Sequence, residues 1–224
     1  MDDMTRLVLA SQSPARLQLL KSAGIPAEVV VSGVDESVVQ ADGPEALSGI
    51  LARLKAEAVA ARLGPEAVAA RLGPEAVAAR PDSGPEPDRV LVLGCDSVLA
   101  FDGQILGKPT DADDAVRRWR AMRGRSGVLH TGHCLIDART GDSAAAVAST
   151  KVHFADLTDT EIAAYVATGE PLRVAGAFTI DGFGGAFVDR IEGDPGTVIG
   201  LSLPLLRRML SELGTELISL WRAG

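Results

Sequence analysis

The spacing of apolar and polar residues divides the chain into short strands and amphipathic helices. Apolar runs predict strands at 7–10, 29–34, 90–93, 128–136 and 144–154, and glycine-rich strands over 175–200. Apolar residues at helical spacing predict helices that begin near Ser13, Pro44, Thr110, Thr158 and Pro204. Because strands and helices alternate, the predicted fold class is α/β, with a mixed twisted sheet and flanking helices.

Three local motifs indicate where some of these elements begin or end. Ser13 is predicted to cap a helix whose first residue is Pro14, a position that does not need a backbone N–H. Thr158, with Glu161 three residues later, is typical of a capping box. Asp102-Gly103 between two apolar runs predicts a hairpin turn. The chain therefore carries local signals for two helix starts and one hairpin.

A tandem repeat interrupts the pattern. The segment EAVAARLGP at 57–65 recurs twice, the second time incompletely, so that the array ends at Arg80. Its nine-residue period is too short for a helical solenoid unit, which needs about 20–50 residues. We interpret the array as one helix that ends near Leu63, followed by tandem duplication. With the Pro-rich stretch behind it, the array forms a predicted insertion at about 64–88 in a single domain spanning 1–224.

Charge and cysteine content exclude several classes of protein. The chain has 22 Lys and Arg against 30 Asp and Glu, a net charge of −8, and nucleic-acid-binding surfaces are usually basic, so neither DNA nor RNA is an expected partner. An acidic N-terminus, with no apolar run of about 18 residues, predicts a cytoplasmic protein without a membrane span. Cys95 and Cys134 are too few for a disulfide framework. His130 and His133 are predicted to point to opposite faces of a strand, which argues against a zinc site.

The first candidate site is the loop between the strand at 7–10 and the helix that follows. It contains Ser11, Ser13 and Arg16, at a helix N-terminus where free backbone N–H groups attract anions. The guanidinium of Arg16 can bind two phosphate oxygens at once. The loop therefore predicts a phosphate-binding site; the alternative is an ordinary serine cap beside a solvated arginine.

A second group of candidates combines carboxylates and lysines. Asp96 follows a buried strand directly, so its carboxylate needs a cation, a metal or a proton, and it can serve as a general base or a magnesium ligand. The hairpin is predicted to bring Lys108 within reach of Asp96, where an ammonium suits a phosphate. Glu36 offers a carboxylate to a divalent cation, and Lys55 borders the apolar face of its helix. The alternatives are a turn-forming aspartate and solvent-exposed side chains.

Five segments carry much of the chain's chemistry: LVLASQSPARLQLL at 7–20, VDE at 34–36, LARLKAEA at 51–58, LGCDSVLAFDGQILGKP at 93–109 and GEPLRVAGAFTIDGFGGAFVDRIEG at 169–193. Taken together, they resemble the Maf, or septum-formation-inhibitor, family of nucleoside triphosphate pyrophosphatases. The resemblance implies an elongated, ITP-pyrophosphatase-like fold with a central cleft and, in many members, a homodimer. It also implies cleavage between the α- and β-phosphates of a nucleoside triphosphate, assisted by Mg²⁺ or Mn²⁺, to give a nucleoside monophosphate and pyrophosphate.

The resemblance further implies roles for individual residues. Asp96 is the implied catalytic carboxylate and, with Glu36, an implied metal ligand. The implied substrate-binding residues are Ser11, Ser13, Arg16, Lys55 and Lys108. The chain departs from the family pattern at Ala15, Ser97, Val174 and Asp181. These departures leave open the preferred base and whether modified nucleotides are the target. Two alternatives to an enzyme stay open: a non-catalytic, nucleotide-binding regulator of cell division, and an interaction module built on the repeat.

Overall fold

The computed structural model describes residues 5–64 and 89–221. Within these residues, seven strands form one mixed sheet. The strands are β1 (Arg6–Leu9), β2 (Ala27–Val29), β3 (Val90–Phe101), β4 (Gln104–Leu106), β5 (Ser126–Asp137), β6 (Ser143–Phe154) and β7 (Val188–Glu192). The helices are α1 (Pro14–Ser22), α2 (Pro44–Leu63), α3 (Ala112–Met122), α4 (Asp159–Ala167), α5 (Pro195–Ile199) and α6 (Leu203–Glu212). The strand order is β2-β1-β3-β5-β6-β7, with β4 paired to β3. Only β1 forms parallel pairs, with β2 and β3.

Helices cover both faces of the sheet where β1 and β3 lie side by side. Alternate side chains of these strands point to opposite faces, so each face has its own core. Leu7, Leu9, Leu91 and Leu93 pack with Leu20 of α1 and with Leu206 and Met209 of α6. Val8 and Val92 pack on the other face with Ala52, Ala56 and Val59 of α2. The predicted mixed α/β sheet with flanking helices is therefore confirmed.

An aromatic cluster forms a third core at the other end of the sheet. The fully buried ring of Trp119 in α3 contacts Phe154 and Tyr165 edge-on, with ring centroids 5.6 and 5.5 Å apart. Its Nε1–H donates to the carbonyl oxygen of Ala177 at 2.7 Å. This bond fixes the segment after α4 against the cluster, and that segment reaches β3 at Leu99.

Two glycines allow the backbone of α2 to approach the sheet closely. A Cβ atom at Gly94 of β3 would lie 2.2 Å from the carbonyl oxygen of Ala52, and one at Gly132 of β5 would lie 2.1 Å from that of Ser48. Such distances are far inside van der Waals contact, so glycine is required at both positions. As a result, α2 crosses β3 at the level of the residues that follow Gly94.

The local motifs are confirmed by the structure. Ser13 Oγ accepts a hydrogen bond from the N–H of Arg16 at 3.4 Å, and Thr158 forms a reciprocal capping box with Glu161. Asp102 and Gly103 both have positive φ angles, as a tight hairpin turn requires. The predicted helix end near Leu63 is confirmed, while the later copies of the repeat and the Pro-rich stretch lie outside the described residues.

Two predicted strand boundaries are wrong. The strand predicted at 29–34 is Ala27–Val29, because β1 ends at Leu9 and the N–H of Val30 makes the last bond to it. The strand predicted at 90–93 continues to Phe101, because its pairing with β5 runs from Leu91 to Ala100, beyond the end of β1. Asp96 thus lies inside a strand, opposite Gly132, and not in a turn.

Two further predictions need correction. Asp111 and not Thr110 caps α3, since its Oδ1 accepts from the N–H of Asp114 at 2.8 Å. The glycine-rich strands predicted over 175–200 reduce to β7, and the remainder contains two short 3₁₀ turns, Ala175–Ala177 and Phe183–Phe187, and helix α5. The Glu170 carboxylate accepts from the N–H groups of Phe183 and Gly184, which in a strand would bond to a neighbouring strand.

His133 is buried in β5 and bonded through both ring nitrogens. Nδ1 donates to the carbonyl oxygen of Thr131 at 2.9 Å, and Nε2 accepts from the N–H of Ser202 at 2.9 Å, so the ring is neutral. Burial, assisted by the positive charge of Arg16, lowers the pKa of His133 to about 4. His130 lies on the opposite face beside Ser149, in agreement with the prediction that the two histidines do not share a ligand.

The buried His133 predicts a loss of stability in mild acid. Below pH 6.5 the unfolded chain takes up a proton that the folded chain takes up only near pH 4, so stability falls as the pH falls through this window. The free energy of unfolding should drop by about 3 kcal/mol between pH 7 and pH 4 from this side chain alone. Urea denaturation at intervals across that range measures the drop. In His133→Gln the slope should be shallower, and an unchanged slope would contradict the assignment.

Candidate active site

The predicted site residues other than Lys108 gather where β3 runs past the end of β1. Leu9, the last residue of β1, pairs with Leu93, after which β3 has no neighbouring strand on that side until β4 pairs with it at Leu99. The chain leaving β1 turns at Ser11 into α1, so this loop lies beside the continuing β3. Ligands of open α/β sheets commonly bind beyond the carboxyl ends of parallel strands, which is the position of this loop.

Lys55, Asp96 and Glu36 form a charged cluster between α2, β3 and the turn after β2. The Lys55 Nζ atom donates to Asp96 Oδ1 at 2.5 Å and to Glu36 Oε1 at 2.7 Å. The side chains of Lys55 and Asp96 are only 9% and 10% exposed, whereas that of Glu36 is 52% exposed. The close approach of α2 at Gly94 brings Lys55 over Asp96. One ammonium thus lies between two carboxylates, one buried and one open to solvent.

The Asp96 carboxylate is both buried and ion-paired, and these two features shift its pKa in opposite directions. Burial raises the pKa of Asp96 and is the largest effect. The ammonium of Lys55 and, less strongly, the guanidinium of Arg16 lower this pKa, whereas the negative charge of Glu36 raises it. The net result is a raised pKa. Among the described residues, none donates to Oδ2, and every fully buried side-chain polar atom there has a partner. Oδ2 is therefore reachable by a water molecule and free to accept a hydrogen bond from it.

The loop between β1 and α1 presents a hydroxyl and a helix N-terminus. Ser11 is buried, and its Oγ accepts from the N–H of Ser13 at 3.1 Å and from Arg16 Nη1 at 3.0 Å. Because both partners donate, the hydroxyl hydrogen of Ser11 stays available to an acceptor. The capping of α1 by Ser13 fixes the direction of the helix N-terminus, whose dipole favours an anion.

Arg16 is buried and points into the protein. Its Nε donates to the carbonyl oxygen of Gly200 at 2.7 Å, and Nη1 donates to the carbonyl oxygen of Cys95 at 2.9 Å as well as to Ser11. Nη2 donates to Ser97 Oγ at 3.0 Å. Four of the five guanidinium N–H groups are thus directed at protein atoms. The structure places Arg16 beside the predicted site, with one N–H left for any other acceptor.

Lys108 lies apart from the charged cluster. The last pair of the hairpin joins Leu99 to Leu106, and Lys108 follows two residues later with an exposed side chain. Within the described residues its ammonium makes no hydrogen bond or ion pair. The backbone before it is fixed, since the carbonyl oxygen of Gly107 accepts from Arg118 Nη1 at 2.7 Å and from the N–H of Gly176 at 3.0 Å. The structure therefore does not bring Lys108 into contact with Asp96.

Sequence reasoning missed several residues that organise this site. Gly94 and Gly132 set the position of α2, and Gly200, with a φ of 113°, accepts from Arg16. The hydroxyl of Thr131 bonds to that of Ser97 and donates to the carbonyl oxygen of Thr197. A glycine inside an apolar strand pattern can indicate a close backbone approach, a signal that Gly94 and Gly132 both carried. Neither threonine carried a comparable signal.

The residues present fit a divalent cation that is shared with a substrate. Among the described residues, no cluster of three or more His, Cys, Asp and Glu side chains could hold a metal ion. Glu36 and Asp96 form a pair, each in contact with the ammonium of Lys55. Magnesium is usually held by one or two carboxylates together with substrate phosphates, so two carboxylates without a full protein cage match that mode of binding.

Comparison with known proteins identifies the family of the chain. The family described as Maf-like protein matches residues 6–213. The chain belongs to the Maf family. A relative from Salinispora tropica, named nucleoside triphosphate pyrophosphatase, is 60% identical over 98% of this chain and 88% of its own length. Relatives of the same name from Streptomyces coelicolor and Cutibacterium acnes are 56% and 49% identical over 96% and 97% of this chain, and 94% and 95% of theirs.

One solved structure also resembles this Maf-family chain, and the apolar character of its helices was compared with that of membrane spans. A solved nucleoside-triphosphatase, a dITP/XTP pyrophosphatase from Mycobacterium abscessus, is 13% identical with a TM-score of 0.40, covering 94% of this chain and 98% of its own. Of the helices in the described ranges, none has the length and apolar character needed to cross a membrane.

Proposed function

We propose that this Maf-family chain hydrolyses nucleoside triphosphates to nucleoside monophosphates and pyrophosphate. The observation that carries the proposal is the buried Asp96 carboxylate, held through Oδ1 by Lys55 and open at Oδ2, beside an anion-attracting helix N-terminus. A general base must be held in place and still reach the water it activates, and Asp96 meets both conditions. The names of the close relatives support the same reaction.

A divalent cation, Mg²⁺ or Mn²⁺, belongs to the proposal. Glu36 and Asp96 would hold it, and the remaining ligands would come from the substrate phosphates. Such a cation neutralises charge on the polyphosphate and so supplies electrostatic stabilisation. The ammonium of Lys55 contacts both carboxylates and so holds them close to each other.

The proposed reaction is an in-line displacement at the α-phosphorus. Asp96 Oδ2 accepts a proton from water while the water oxygen bonds to the α-phosphorus. The bond from that phosphorus to the α,β-bridging oxygen breaks, and pyrophosphate leaves with the electron pair. Lys55, the hydroxyl of Ser11 and the N-terminus of α1 at Ser13 offset the negative charge that develops. Lys108, with its free ammonium, is proposed to reach the phosphates from the hairpin side.

The remaining proposals concern context. We propose a single catalytic domain with an insertion at about 64–88, acting in the cytoplasm on free nucleotides, with a homodimer as the expected assembly. Neither DNA, RNA nor a membrane is a proposed partner, in keeping with the net charge of −8. The base preference stays open, because Val174 and Asp181 depart from the pattern of the family branch best known for dTTP and UTP.

A panel of normal and modified nucleoside triphosphates tests the function. We expect pyrophosphate and nucleoside monophosphate in equal amounts, with turnover that requires Mg²⁺ or Mn²⁺ and stops when EDTA is added. The assay records phosphate with and without an added inorganic pyrophosphatase, which separates pyrophosphate release from stepwise removal of single phosphates. Binding of a nucleotide without turnover, for every base and both metals, would refute the enzyme and favour the non-catalytic regulator.

A further inference from the structure

The guanidinium of Arg16 contacts both residues that flank Asp96. Nη1 donates to the carbonyl oxygen of Cys95, and Nη2 donates to Ser97 Oγ. The Ser97 side chain points to the face of the sheet opposite Asp96, and the Cys95 carbonyl oxygen lies on the β1 side of β3, as that of Leu93 does, so Arg16 contacts β3 away from the Asp96 side chain. Two bonds to positions two residues apart on one strand restrict its rotation as well as its translation.

A directed chain of hydrogen bonds leads from Arg16 to the turn at α5. The carbonyl oxygen of Thr197 can only accept, so Thr131 Oγ1, 2.8 Å away, donates to it. Ser97 Oγ lies 2.8 Å from Thr131 Oγ1 and must therefore be the donor of that pair. A guanidinium can only donate, so Ser97 accepts from Arg16. Every hydroxyl hydrogen in the chain from Arg16 to Thr197 thus has a fixed direction.

A second bond from Arg16 reaches the same turn without an intermediary. Its Nε donates to the carbonyl oxygen of Gly200, which caps α5 with a left-handed backbone. A Cβ at position 200 would lie 2.9 Å from Arg16 Nε, so the contact depends on glycine. The turn is therefore tied to β3 twice: directly through Arg16, and through Ser97 and Thr131.

We propose that Arg16 is a positioning residue that, together with Ser97 and Thr131, locks the Asp96 segment of β3 to the α5 turn. The proposal rests on the proposed function, because positioning matters for the attack on the α-phosphorus. In this proposal the guanidinium holds protein atoms in place and does not bind the substrate phosphates. Four of its five N–H groups already donate to protein atoms, so only one could donate to a phosphate. The proposal also assigns a function to Thr131, which is fully buried and lies on a strand next to Asp96 without touching the reacting groups.

Kinetics of paired variants test the proposal. Thr131→Val removes the hydroxyl and keeps the shape, and Thr131→Ser keeps the hydroxyl. We expect Thr131→Val to lower kcat about tenfold with KM changed less than twofold, since misplaced reacting groups lower the rate more than they weaken ground-state binding. Thr131→Ser should stay within about twofold of the wild type in both constants. Arg16→Lys, whose ammonium cannot reach four acceptors, should lower kcat about 100-fold.

Hydrogen–deuterium exchange supplies a readout that does not depend on turnover. Peptides that cover 94–98 and 194–202 should exchange faster in Thr131→Val and Arg16→Lys than in the wild type and Thr131→Ser. If the wild type releases no pyrophosphate, the proposed function fails, while the exchange experiment still decides the positioning role. If Thr131→Val does not fold, Ser97→Ala and its control Ser97→Thr make the same comparison at the preceding bond.

Two results would overturn the proposal. In the first, Thr131→Val and Thr131→Ser have the same kcat and the same exchange rates, whatever Arg16→Lys does. In the second, Arg16→Lys raises KM at least tenfold with kcat retained, which would identify Arg16 as a ligand of the substrate phosphates. A drop in kcat confined to the variants that lack the hydroxyl, with faster exchange in both segments, would establish the positioning role.

Discussion

Replacing Asp96 with asparagine should abolish pyrophosphate release and leave the fold intact. Asparagine keeps an oxygen that can accept from Lys55 Nζ, as Oδ1 does now. The second oxygen becomes an NH₂ group, which donates hydrogen bonds and cannot take a proton from water. Loss of a general base costs about 10²- to 10⁴-fold in rate, so kcat should fall by at least that range.

The control for this variant is Asp102→Asn, on the exposed turn of the β3–β4 hairpin. Asp102 has a φ of 52°, a left-handed conformation that asparagine also adopts readily, so the hairpin should be preserved. Pyrophosphate release should match the wild type in Asp102→Asn and be lost in Asp96→Asn, with urea midpoints measured for both. Full activity in Asp96→Asn would refute the assignment of the catalytic base.

The fold could be predicted from the sequence where the signals are local. The cap of α1 at Ser13, the capping box at Thr158 and the hairpin at Asp102 each depend on a few adjacent residues, and the structure contains all three. The glycine-rich stretch at 175–200 could not be predicted in this way. Within it, the N–H groups of Phe183 and Gly184 bond to the carboxylate of Glu170 and not to a strand, a contact that residue spacing does not reveal.

The site was predictable to a similar extent. Residue type and position marked Asp96 as a candidate, the resemblance to the Maf family added roles for Lys55 and Glu36, and the structure joins all three through one ammonium. The contacts of Arg16 were not predictable, because its acceptors at positions 95, 97 and 200 come together only in the folded chain. Long-range contacts decide whether a buried cation faces the ligand or the protein, and a single sequence does not encode them in any local pattern.

Lys55→Met should cause the largest loss of stability among substitutions in the cluster. The substitution leaves the Asp96 carboxylate nearly buried and without a cation, and removing one partner from a buried pair typically costs about 3–5 kcal/mol. The pair with Glu36 contributes little, since that side chain is half exposed. Activity should also fall at least about 100-fold, because the carboxylates lose the group that holds them and the polyphosphate loses a positive charge. Urea denaturation at pH 7.5 measures the free energy of unfolding.

The double variant separates charge burial from packing. In Lys55→Met/Asp96→Asn the buried group is neutral and needs no counter-ion, so about 2 kcal/mol of the loss in Lys55→Met should be regained, while activity stays absent. Arg53→Met, an exposed position on the same helix, should change stability by no more than about 0.5 kcal/mol and leave turnover unchanged. If the double variant is as unstable as Lys55→Met, the cost lies in the packing of α2 on β3. Recovery of stability without activity would instead show that Lys55 keeps the catalytic carboxylate charged inside the protein.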